Sequence, residues 1–135
     1  MEIKTIELAG AALDWAVATA DGKAPKIDCT SFRSAFIYRV YLGWSYEHSS
    51  SGSIVEYKPS IHWKEGGPII ERDGISVRHV LDRFWCADIQ NGDCECDGHT
   101  PLIAAMRCFV MSKLGYIVDI PELLHPNFNQ LEQSK

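Results

Sequence analysis

The chain has 135 residues, 46% of them hydrophobic and 23% charged, which fits one ordinary globular domain and excludes the composition of a disordered protein. Its formal charge of −5, from 13 basic and 18 acidic residues, opposes binding to phosphate backbones, and no Lys/Arg run offsets it. No segment approaches the ~18–20 apolar residues that span a bilayer, so neither nucleic acid nor a membrane is an expected partner.

The start of the chain lacks the basic flank of a secretory signal, and Asp14 interrupts its apolar run, so the protein is expected to stay in the cytosol. Five cysteines in that reducing compartment are expected to be free thiols.

The first predicted element is a helix over residues 11–18, which are dominated by alanine, the best helix former. Leu13, Ala16 and Val17 line one face at i, i+3 and i+4, and Asp21-Gly22 supplies the stop, with Gly22 just past the helix end. Trp15, beside Asp14, reads as a packing residue. Residues 23–34 read as a loop. Residues 36–44, rich in aromatic and β-branched side chains, read as a strand with Arg39 on one face. The Ser/Gly-rich residues 48–53 read as an exposed hairpin tip or flap.

Gly66-Gly67 predicts a turn, with Pro68 at the first position of a short helix that Gly74 ends. Strands are expected over residues 75–80 and 84–89. Residues 90–98 read as turn-rich, with Asn91-Gly92 and Asp97-Gly98 as tight-turn signals. The clearest helix runs over residues 102–114, with Thr100 as N-cap, Pro101 at its first position and Gly115 at its end. A short strand over residues 116–120 stops at Pro121. This order argues for an α+β fold: a small single domain over residues 1–125, with a few mostly antiparallel strands and two to three helices, and a polar tail over 126–135 expected to fray.

Three segments occur in an order that is not generic: Gly10-Ala11-Ala12-Leu13-Asp14-Trp15-Ala16-Val17-Ala18, Gly66-Gly67-Pro68-Ile69-Ile70-Glu71-Arg72 and Thr100-Pro101-Leu102-Ile103-Ala104-Ala105-Met106-Arg107-Cys108. Together they resemble the NinX family of small proteins from lambda-like phages and their prophages, over about residues 3 to 124. The resemblance implies a phage accessory protein made in the cytoplasm of a bacterial host; it implies no particular activity. The cysteine-rich stretch from Cys86 to His99 departs from the family pattern.

The densest chemistry lies between Tyr57 and Arg72. Gly66 and Gly67 permit close backbone approach to a ligand, and a helix starting at Pro68 offers free N–H groups to an anion. Tyr57 and Trp63 offer stacking faces, Lys64 and Arg72 offer positive charge to a phosphate, and His62 is a further contact. Arg78 and the second helix start at Thr100 complete the candidate ligand-binding set. These are the groups that a phosphorylated, base-containing small molecule requires. The structural alternative is that Gly-Gly-Pro turns the chain, Trp63 fills the core and Arg72 pairs with a neighbouring acid.

Cys86, Cys94, Cys96 and His99 have ligand chemistry for zinc, but the C-x7-C-x-C-x2-H spacing departs from the paired spacing of known zinc sites, so neither metal nor cofactor is expected. No Gly-x-Ser-x-Gly elbow, Walker loop, dinucleotide fingerprint or His-Glu-x-x-His motif is present, and no catalytic residue is assigned. The expectation is a non-enzymatic phage accessory protein that binds and sequesters a nucleotide-derived signal of host anti-phage defence, as a homo-oligomer with pockets completed at an interface. The alternative is a protein-interaction module, acting on a host or phage protein through aromatic anchors or an acidic surface; a small hydrolase ranks below both.

Overall fold

The computed structural model describes residues 1–33, 35–42, 55–89 and 94–127. The elements are β1 (Glu2–Lys4), α1 (Gly10–Ala20), β2 (Pro25–Phe32), β3 (Ala35–Leu42), β4 (Val55–Glu56), α2 (Trp63–Asp73), β5 (Ile75–Val80), β6 (Phe84–Ile89), β7 (Cys94–Gly98), α3 (Pro101–Leu114) and β8 (Ile117–Asp119), with 3-10 turns at Thr5–Glu7 and Glu122–Leu124. Among the described residues all strand pairs are antiparallel and form three small sheets: β1-β8, β2-β3-β4 and β5-β6-β7. This is the expected α+β architecture.

The core is built around α3. Thr100 caps it, its Oγ1 accepting the N–H of Ile103 at 3.1 Å, and Gly115 closes it at φ 90°. Leu102, Ala104, Ala105, Met106, Cys108, Phe109, Val110 and Met111 are all buried, so the helix is apolar on nearly every side. It can be so because the β5-β6-β7 sheet covers one flank while α1 and α2 cover others. Small residues set the spacing. A Cβ at Gly98 of β7 would lie 2.5 Å from the backbone nitrogen of Ala104, so glycine lets the strand reach the helix backbone.

α1 ends at Gly22, φ 74°, as expected, but it is not one-faced. Asp14 and Ala18 are buried along with Leu13, Ala16 and Val17, because α3 and β3 pack on different sides. Residues 25–32, expected as loop, form β2 in full register with β3. The side chains of residues 25–31 are largely solvent-facing, so backbone pairing to β3 carries the strand where no apolar pattern announced it.

Two further expectations are corrected. Gly66, Gly67 and Pro68 make no turn: α2 begins at Trp63, behind His62, and runs through all three. Gly66 is buried, with a Cβ there 2.6 Å from both the Pro59 carbonyl oxygen and the Leu102 side chain. Close packing onto the preceding segment and α3 holds a glycine-glycine-proline run helical against its propensity. Gly74 does end α2, at φ 66°. Residues 94–98, read as turn, form β7, whose Cys96 and Gly98 are buried on the α3 side. The Asn91-Gly92 turn, the flap at 48–53 and most of the tail lie outside the described residues. No helix among the described residues is long and apolar enough to cross a membrane.

Candidate functional site

A cavity of about 350 Å³ opens between the end of α1, the β3–β4 pair and α2. Leu42, Tyr57, Pro68 and Ile69 give it apolar walls; Lys23, Lys64 and Arg72 bring positive charge; Asp21, Glu56 and Glu65 bring negative charge. Its size falls within the ~300–1,000 Å³ of small-molecule sites.

Arg72 stands in the last turn of α2. Its Nη2 donates to Asp21 Oδ1 at 2.8 Å and its Nε to Asp73 Oδ1 at 3.0 Å. These bonds, to Asp73 first and Asp21 second, raise the guanidinium above its ordinary value. Asp21 caps the C-terminal end of α1, and its second oxygen lies 3.3 Å from the Lys23 ammonium. Lys23 in turn sits 4.9 Å above the Tyr57 ring, a cation–π contact.

Tyr57 is buried, and its hydroxyl has no hydrogen-bond partner among the described residues. Burial, then the charges of Asp21, Glu65 and Asp14, push the phenol above its ordinary value, so it stays a donor across the physiological range. The acids are engaged elsewhere: Glu65 accepts the Lys58 N–H at 2.7 Å, and Glu56 pairs with Lys58 at 3.1 Å. The arrangement can stack a flat apolar group on the walls and neutralise an anion with the cations.

Three members of the sequence-derived set, Tyr57, Pro68 and Arg72, line this cavity together with Lys64. The others do not. Trp63 is 57% exposed rather than in the core. Gly66 packs inward, and its N–H donates to the His62 carbonyl at 3.0 Å; Pro68 lies within the helix, so no free helix end exists there for an anion. His62 is exposed beside Glu65, 3.5 Å away, and Gly67 lies behind Trp63. Arg78 is on β5, paired with Asp88 at 2.8 Å and Glu95 at 3.2 Å. Thr100 is engaged in capping α3. Sequence reasoning missed Asp21, Lys23, Leu42, Glu56, Glu65 and Ile69. Asp21 was legible only as a helix stop, and Lys23 only as loop.

The cysteines are arranged as thiols. Cys86 donates to Glu95 at 3.0 Å and is pushed up to about 12, by burial first. Cys108 donates to the Cys94 carbonyl at 3.2 Å and is likewise raised to about 12, and Cys96 to about 11. Strand alternation points Cys86 and Cys96 to opposite faces of the sheet, Cys86 standing opposite Asp97 and Cys96 opposite Ala87. No group of three His, Cys, Asp or Glu residues that could hold a metal ion occurs among the described residues.

Residues 4–113 match a family model described as bacteriophage P22, NinX. No curated protein matches the chain.

Proposed function

The chain belongs to the bacteriophage P22 NinX family, and from that premise we propose that this phage accessory protein binds a phosphorylated, nucleotide-like small molecule in the cavity between α1 and α2, and holds it without turnover. One observation carries the reading: Lys23, Lys64 and Arg72 converge on a cavity with apolar walls from Leu42, Tyr57, Pro68 and Ile69. In a phage, a binder of this kind acts by lowering the free concentration of a nucleotide signal on which host defence depends. Such a role requires affinity and abundance rather than catalytic groups.

Calorimetric titration with AMP and ADP tests it. The expected result is saturable binding with the nucleotide recovered intact, weakened about ten-fold or more by Arg72→Ala and unchanged by Arg78→Ala and Thr100→Ala, which lie outside the cavity. Absence of binding by either nucleotide, or binding indifferent to Arg72, overturns it.

A second reading rests on a separate feature. Ile61, in the turn before α2, and Trp63, its first residue, are 61% and 57% exposed, and tryptophan is among the commonest anchors of protein interfaces. A protein partner docked there is lost with Trp63→Ala but not with Arg72→Ala.

A further inference from the structure

We infer that the cavity selects a phosphomonoester, with Asp21 as its specificity-determining residue; this deepens the proposed function and rests on it. The Asp21 carboxylate bridges the Arg72 guanidinium at 2.8 Å and the Lys23 ammonium at 3.3 Å. It does so from the C-terminal end of α1, the negative end of the helix dipole, where a carboxylate is disfavoured unless cations compensate it. Its position therefore depends on those two cations. A ligand anion that takes them must displace Asp21 or approach beside it.

Charge decides which anions succeed. A monoanion, such as a phosphodiester, replaces one negative charge with one and gains little. A phosphomonoester carries close to two charges at neutral pH and three acceptor oxygens, so the exchange favours it. The remaining charges agree. Asp21 serves two cations at once, and Lys64, on the same wall, has no acid within 4 Å among the described residues. Asp73 holds only the Nε edge of Arg72, leaving the other edge to Asp21 or to the ligand. Glu56 is paired with the Lys58 ammonium and Glu65 accepts the Lys58 backbone N–H, so neither competes with the ligand for Lys23, Lys64 or Arg72.

The test compares 5′-AMP with 3′,5′-cyclic AMP, which share base and sugar but differ as monoester and diester, on wild type, Asp21→Asn and Arg72→Ala. Wild type is expected to bind 5′-AMP about ten-fold or more tighter than the cyclic nucleotide, and Asp21→Asn to tighten both by several-fold, since it removes the competing carboxylate. The wild-type ratio stands by itself if Asp21→Asn fails to fold, which a thermal melt reports. Equal affinity for the two nucleotides, with both sensitive to Arg72→Ala, overturns the phosphomonoester inference while the proposed site stands. Weaker 5′-AMP binding by folded Asp21→Asn overturns the role of Asp21 as competitor. If neither nucleotide binds wild type, the proposed function itself fails, and this inference with it.

Discussion

The Arg72 guanidinium on α2 donates to the Asp21 carboxylate at the end of α1 across 2.8 Å, so one ion pair both joins two helices and engages a cation of the cavity. The Arg72 side chain is 52% exposed but that of Asp21 only 11%, so the pair is half-buried, and Lys23 stays beside Asp21 when Arg72 is removed. Arg72→Ala is therefore expected to lower unfolding free energy by about 1–2 kcal/mol in urea titration, leaving the protein folded. Loss of ligand binding in that variant then reports the site and not the fold.

Adjacent glycines of α2 should respond in opposite directions. Gly66→Ala drives a Cβ to 2.6 Å from the Pro59 carbonyl oxygen, which is backbone and cannot rotate away, so a loss of ~1–3 kcal/mol is expected. Gly67→Ala meets nothing nearer than the Trp63 ring at 4.0 Å and gains helix propensity, a stabilisation of ~0.5–1 kcal/mol. Chemical denaturation of the two variants beside wild type checks both signs.

Asp14 supplies a pH dependence. It is buried in α1, accepts the Ser60 backbone N–H at 3.0 Å, and burial, its largest influence, raises it from 3.8 to about 6. The folded protein thus holds this proton more tightly than the unfolded chain. The associated stability is fully present below the unfolded value of 3.8 and is lost as pH rises through about 6. About two units correspond to roughly 3 kcal/mol. Asp14→Asn keeps an acceptor for Ser60 without the charge, so its stability relative to wild type should rise by roughly 2–3 kcal/mol between pH 4 and pH 7.5. Denaturation midpoints of both proteins at the two pH values measure it; a constant difference would refute the account.

The β5–β6 turn carries removable backbone strain. Leu81 and Asp82 sit at φ 52° and 55°, consecutive left-handed residues of the kind that Asn-Gly adopts most readily. Leu81 is 80% exposed, so little packing is lost by changing it. The double substitution Leu81→Asn with Asp82→Gly is expected to stabilise by ~1 kcal/mol, visible as a higher denaturation midpoint with an unchanged slope.

Where local chemistry decides structure, the sequence alone was sufficient. Alanine content placed α1, the Thr100-Pro101 start and Gly115 end placed α3, Gly74 ended α2, and strands were expected where β5 and β6 lie. The three motifs likewise pointed to the NinX family, and Tyr57, Lys64, Pro68 and Arg72, named singly as ligand contacts, line one cavity, although Pro68 does so from inside a helix and not at its start. Tertiary contact decided the rest. β2 exists because β3 offers a backbone to pair with, and β7 because α3 needs its flank covered. Gly66-Gly67-Pro68 stays helical because Gly66 packs where no side chain fits. Asp21 and Lys23, which read as the end of a helix and the start of a loop, became the electrostatic centre of the cavity only when α2 brought Arg72 to within 2.8 Å. Local sequence reports propensities of a fraction of a kcal/mol to about 3 kcal/mol per residue, whereas burial and ion pairing between distant segments depend on which surfaces meet.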